Sequence, residues 1–146
     1  MRVFWLLVLL AGCQQAAPPP TIRYGEDACA HCRMIINEAP YACAVETQQG
    51  EIRKYDDFNC MFLDSGQSKP KRYWVHDYNK PDRWLDGVKA YYVRAEELQT
   101  PMGSRTLAVA TREEAEHKAQ LLKGKVFTFE QIRQEFLPSK QPTDRR

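Results

Sequence analysis

Apolar and polar positions alternate most clearly from Pro40 to Asp57, in PYACAVETQQGEIRKYDD. Tyr41, Cys43 and Val45 interleave with Ala42, Ala44 and Glu46, the period-two pattern of a strand. Gln49-Gly50 supplies a turn, and Ile52 and Tyr55 mark a returning strand, so the segment predicts a hairpin. In DDFNCMFLDSG the period changes. Phe58, Met61 and Phe62 fall at helical spacing, and Asp56 or Asp57 can cap a short helix. Gly66 to Lys71 is a turn-rich joint. RYWVHDY then reads as a strand of aromatic and β-branched residues, and a second strand is centred on Ala90 to Arg94. TPMGS is a loop and RTLAVAT a strand. TREEAEHKAQLLKG is a helix, with Thr111 as N-cap, Glu113 and Glu114 in the first turn and Gly124 at the end. KVFTFEQIRQEF gives a strand and a closing helix.

An internal echo runs through these elements. Met34, YACAVET and KYDDFNCMFL line up with Met102, TLAVATR and KVFTFEQIRQEFL. Each half reads methionine loop, strand, gap, strand, short helix, with a helical insertion in the second gap. The expected fold is α+β: two related ββα-type modules sharing a core, over about 23–68 and 71–137. A pseudo-twofold would bring the two methionine loops together.

The first residues are of another kind. Arg2 precedes an apolar run from Val3 to Leu10, too short for the roughly 20 residues that span a bilayer. It reads as the core of a secretory signal over residues 1–12. Leu10-Ala11-Gly12-Cys13 resembles a bacterial lipobox, which implies cleavage after Gly12 and a lipid on the Cys13 thiol. Residues 13–22, with Pro18-Pro19-Pro20, then form a polar tether, stiffened by its prolines. Gln14 beside the lipid favours the outer over the inner membrane, with the domain facing the periplasm. Residues 138–146 read as a flexible tail. Losing Arg2 lowers the formal charge of +2 by one, to +1. Near neutrality speaks against nucleic-acid binding.

Five cysteines are present, and four remain beyond Cys13: Cys29, Cys32, Cys43 and Cys60. All four lie in the first half. In an oxidising envelope four cysteines commonly form two disulfides. DACAHCRM, Asp27 to Met34, packs Cys29, His31, Cys32 and Met34 into six positions. Cys32 and Met34 share a side only on an extended chain, so a common site needs a turn at Cys29–Cys32 followed by extended backbone. Three chemistries fit: a Cys29–Cys32 disulfide or thiol-disulfide redox pair, a zinc site from Cys29, Cys32, Cys43 and Cys60, or a Cu(I) site. Zinc rarely takes thioethers, whereas Cu(I) accepts thiolate and thioether at low coordination number. Cys43, mid-strand, reads as core, and Cys60 fits either core or site. His31 reads as solvated, His76 as structural and His117 as surface. Met102, between Pro101 and Gly103, is poorly placed for packing and well placed for an exchangeable ligand.

DACAHCRMII, KYDDFNCMF, VHDYNKPDRWLDGVKAYYV and TPMGSRTLAV together resemble the NosL family of nitrous oxide reductase accessory lipoproteins, over about Tyr24 to Ala115. The resemblance implies an α+β fold of two related halves and a non-enzymatic, membrane-tethered Cu(I) chaperone. Its copper ligands would fall on Cys29, Cys32, Met34 and Met102, with Cys60 as a further candidate. The implied partners are a periplasmic copper enzyme or its maturation transporter, with a metal-bridged homo- or hetero-complex as one mode of contact. Two features depart from the family pattern: the chain is short beyond the last helix, and Cys43 adds a thiol.

Overall fold

The computed structural model describes residues 17–66 and 68–138. The signal, the lipobox with Cys13, the start of the tether and the tail from residue 139 lie outside the described residues. Among the described residues the fold is α+β, with two small antiparallel sheets and three short α-helices. Strands β1 (Cys43–Glu46) and β2 (Ile52–Tyr55) form the expected hairpin, followed by α1 (Phe58–Ser65). Strands β3 (Arg72–Asp77) and β4 (Lys80–Asp86) complete the first sheet in the order β2-β1-β3-β4. Strands β5 (Tyr91–Arg94), β6 (Thr106–Val109) and β7 (Lys125–Phe127) form the second, in the order β6-β5-β7. Helix α2 (Arg112–Leu122) links β6 to β7, and α3 (Phe129–Phe136) follows. Among the described residues no helix is long and apolar enough to cross a membrane.

Three details differ from the sequence expectation. Strand β3, expected in the second half, pairs with β1 on one side and β4 on the other, and so belongs to the first sheet. The seam between sheets therefore falls after Asp86. In the second sheet β5 lies between β6 and β7, whereas β1 and β2 are direct neighbours. The long α2 crossover lets β7 reach the far side of β5. Strand β4 itself was not legible. Lys80-Pro81-Asp82-Arg83 looks like a loop, but β4 is an edge strand, where a proline near the start and outward charges are tolerated. The tether is also engaged with the domain. Ile22 is buried, and the Ala17 carbonyl accepts from Arg72 Nη1 at 3.0 Å.

Both predicted caps at Thr111 and Asp57 form. Thr111 and Glu114 make a reciprocal capping box on α2, and Thr128 and Gln131 make another on α3. Helix α2 ends differently from expectation. Lys123 takes the left-handed conformation, at φ 51°, and Gly124 follows it. A Cβ on Gly124 would meet the Arg94 carbonyl at 2.6 Å, so the glycine serves close approach to β5.

One aromatic cluster joins the sheets. Phe62 on α1 stacks on Phe136 of α3 at 5.7 Å and contacts Phe129 at 5.8 Å. Phe129 in turn meets Tyr73 of β3 edge-on at 4.8 Å, and Phe58 meets Tyr92 of β5 at 5.8 Å. The core is thus shared between the halves. Phe62→Ala is expected to destabilise the protein by about 3–5 kcal/mol, the usual cost of deleting a buried phenyl group. Urea unfolding of the variant checks this, and a midpoint close to wild type would show that the halves do not depend on this seam.

Candidate metal centre

The cysteine turn is built by local hydrogen bonds. The Asp27 carboxylate accepts from Arg23 N at 2.9 Å and from Lys54 Nζ at 2.7 Å. These partners, the Arg23 amide first, hold its carboxyl well below the usual carboxylate range. The Arg33 amide donates to the Cys29 carbonyl at 3.0 Å, and Arg33 is left-handed at φ 69°. Cys29 N then donates to the Met34 carbonyl at 2.8 Å, while Ala28 and Ile35 form an antiparallel bridge. The Cys-x-x-Cys is therefore a tight turn leading into extended chain, the backbone that a site shared with Met34 would need. Ala30 N donates to the Lys54 carbonyl at 2.8 Å and so pins the turn to β2.

Strand β2 runs straight into Asp56, Asp57 and α1, which bring a second set of groups to the same place. Ligand atoms of Cys29, Cys32, Asp56 and Cys60 all lie within 4.8 Å of one another. Cys29, Cys60 and Asp56 are buried, and Cys32 is half-buried. Cys32 Sγ lies 3.5 Å from both carboxylate oxygens of Asp56. All four described cysteines are free thiols.

The thiols are unequal. Cys29 is pulled down to about 6, first by the Cys60 S–H hydrogen bond and then by backbone N–H groups of Cys32, Asp56 and His31. Cys60, the donor of that bond, is pushed far up, first by the same bond and then by burial. Burial raises Cys32. Cys29 is therefore the first thiolate of the cluster, and Cys60 is the thiol that retains its proton.

Of the sequence candidates, Cys29, Cys32 and Cys60 are gathered here. Met34 and Met102 are surface residues, 59% and 40% exposed. The Met102 loop is nevertheless held against α1, because Asn59 Nδ2 donates to the Met102 carbonyl at 2.7 Å and Asp57 Oδ2 accepts from Met102 N at 2.9 Å. Cys43 stands outside the group. It is fully buried, its S–H faces the Asp57 carbonyl at 3.6 Å, and burial pushes the thiol well up. A zinc set including Cys43 is thus not assembled. His76 is structural, as expected: Nδ1 lies 2.7 Å from the Ala42 carbonyl, the ring packs 3.7 Å from Trp84, and burial lowers its pKa. His31 is half-exposed near Asp64, at 4.0 Å, and His117 is exposed. Asp56 is the member that sequence reasoning missed. Asp-Asp before a helix suggested only a cap, and Asp57 takes that role. Its position next to the cap, with Cys60 four residues on, was the available signal.

Residues 21–137 match the family model described as NosL. The chain belongs to the NosL family. It is 27% identical over 134 residues to the copper-binding lipoprotein NosL of Stutzerimonas stutzeri, covering 84% of this chain and 70% of that protein. The crystal structure of the copper chaperone NosL from Shewanella denitrificans superposes with a TM-score of 0.68 at 17% identity, covering 85% of this chain and 100% of that one. That likeness establishes the NosL fold for this chain.

The unequal thiols make the apo protein sensitive to pH. The folded Cys29 thiol, at about 6, lies below its ordinary value of 9.0. The folded state releases this proton first, so the contribution is fully present above about 9 and is lost as pH falls through about 6. The buried neutral His76 acts in the same direction at the low end. Urea midpoints of the reduced apo protein are expected to rise between about pH 6 and pH 9. Ultraviolet thiolate absorption should show one early step, which moves upward in Cys60→Ala. A midpoint flat across that range would contradict the cluster's polarity.

Proposed function

We propose that this chain is a Cu(I) carrier of the cell envelope, held to the membrane, preferentially the outer one, by a lipid on Cys13. It catalyses no bond chemistry. Its cargo is bound by thiolates of Cys29 and Cys32, with Cys60 beside them and the thioethers of Met34 and Met102 as surface ligands. The client is an envelope copper enzyme, nitrous oxide reductase first, reached directly or through its maturation transporter. The observation that carries this reading is the meeting of three thiols within 4.8 Å in a member of the NosL family. The names of the relatives, a copper-binding lipoprotein and a copper chaperone, support it.

The donor set fits a soft, low-coordination ion. Cys29 is already ionised near neutral pH, so it can receive Cu(I) before any other thiol loses a proton. Buried sulfurs retain the ion, and exposed thioethers can be replaced one at a time by an acceptor's ligands. Asp56 favours a second reading. A hard oxygen with three sulfurs is a tetrahedral set that zinc accepts.

One competition experiment separates the two. Under anaerobic, reducing conditions the protein is expected to take one Cu(I) from a chromophoric chelator and to prefer it to Zn(II). Cys29→Ala and Cys32→Ala should each cost more than the roughly 10–100-fold typical of an outer residue. Met102→Ala should weaken binding without unfolding the protein. Tight Zn(II) with no Cu(I) competition would establish the zinc reading instead.

A further inference from the structure

We infer that Asp57 is a positioning residue for the cargo site, fixing the Met102 loop against the helix turn that carries Cys60. The inference rests on the reading that Met102 is a Cu(I) ligand. Asp57 is wholly buried, and its hydrogen-bond partners include no cation. Its helix cap uses one oxygen, Oδ1, which accepts from Phe58 N at 2.8 Å. The other oxygen serves the loop alone. Oδ2 accepts from Thr100 Oγ1 at 2.8 Å, Met102 N at 2.9 Å and Ser104 N at 3.2 Å. Ser104 Oγ donates to Oδ1 as well. A concave run of backbone N–H groups around a left-handed residue is a natural receptor for an anion. Here Gly103, at φ 75°, provides that residue, and a Cβ on it would meet nothing within 4 Å.

Two neighbouring side chains of α1 and its cap thus hold both backbone polar groups of Met102. Asp57 takes the N–H, and Asn59 donates to the C=O at 2.7 Å. The Met102 side chain is left 40% exposed. Clamping the backbone while leaving the Met102 side chain part exposed holds a ligand beside the helix turn that carries Cys60 and within reach of a partner. Pro101 before it further restricts the turn.

The test is a double-mutant cycle on Cu(I) affinity in the reduced full chain, with sulfur ligands counted by X-ray absorption. Asp57→Asn is expected to weaken Cu(I) binding by about tenfold, within the range for residues that orient a ligand. Met102→Ala should weaken it similarly, and the double variant should be no weaker than the worse single one. Each single variant should lose one sulfur scatterer. Thr100→Val, which removes one donor to Oδ2, repeats the cycle if Asp57→Asn does not fold, with a loss of about threefold to tenfold. If Met102→Ala binds as wild type, Met102 is not a ligand, and the inference falls with that reading. If Met102→Ala is weaker but Asp57→Asn and Thr100→Val are not, the inference alone is overturned. Additive losses would also overturn it, because Asp57 would then act on the thiols rather than through Met102.

Discussion

A carboxylate buried without a cation constrains the whole molecule. A charge moved out of water is costly unless hydrogen bonds replace its solvation. Asp57 meets that demand with Phe58 N from its own helix and four donors from Thr100 to Ser104. The helix N-terminus adds a favourable field. The solution joins parts far apart in sequence: the carboxylate that caps α1 also receives the loop before β6. Asp56 and Cys60 flank this point, so the thiol cluster inherits its geometry from a contact between the two sheets. The aromatic seam of Phe62, Phe129 and Phe136 supports the other end of the same helix.

Fixed from both ends, α1 brings to one place groups that the chain carries on separate elements. Cys29 and Cys32 come from a turn pinned to β2 through Ala30 and Lys54, and Cys60 comes from the helix. The thiols lie inside and the methionines outside. On the proposed reading that division separates retention from exchange: sulfur donors screened from solvent would hold a soft ion against competitors, and exposed ones would provide a point of attack. The uneven proton affinities follow from the same crowding: three thiols and a carboxylate this close cannot all ionise together, so the charge settles on Cys29, where Cys60 and three amides can stabilise it.

How much of this the sequence revealed depended on how local the cause was. The hairpin over β1 and β2, the Asp57 and Thr111 caps and the cysteine turn rest on residues within a few positions, and each was legible. Cys43 was also readable as core from its strand period. Strand β4 was not, because its edge position excuses a proline and charges that would disqualify a central strand. The sheet seam was misplaced because strand pairing is a long-range choice, and β3 could join β1 or the later strands with equal local propriety. Asp56 was invisible as a cluster member for a related reason: its meaning depends on Cys32, 24 residues away. The Met102 loop was legible as exposed, but the grip on Met102 was not, since Asp57 and Asn59 reach it across more than 40 residues.

Asp56 also bears on how a carrier of this kind would release its ion. Three thiolates with nothing else would bind Cu(I) with little reason to let go. A carboxylate 3.5 Å from Cys32 Sγ repels a second thiolate and offers only a hard oxygen as a ligand. Cys32 is also the least buried of the three clustered cysteines. On the proposed reading, an acceptor approaching the exposed side would displace Cys32 and the thioethers first and meet Cys29 last. The order of exchange follows from the same burial and charge that set the thiol proton affinities.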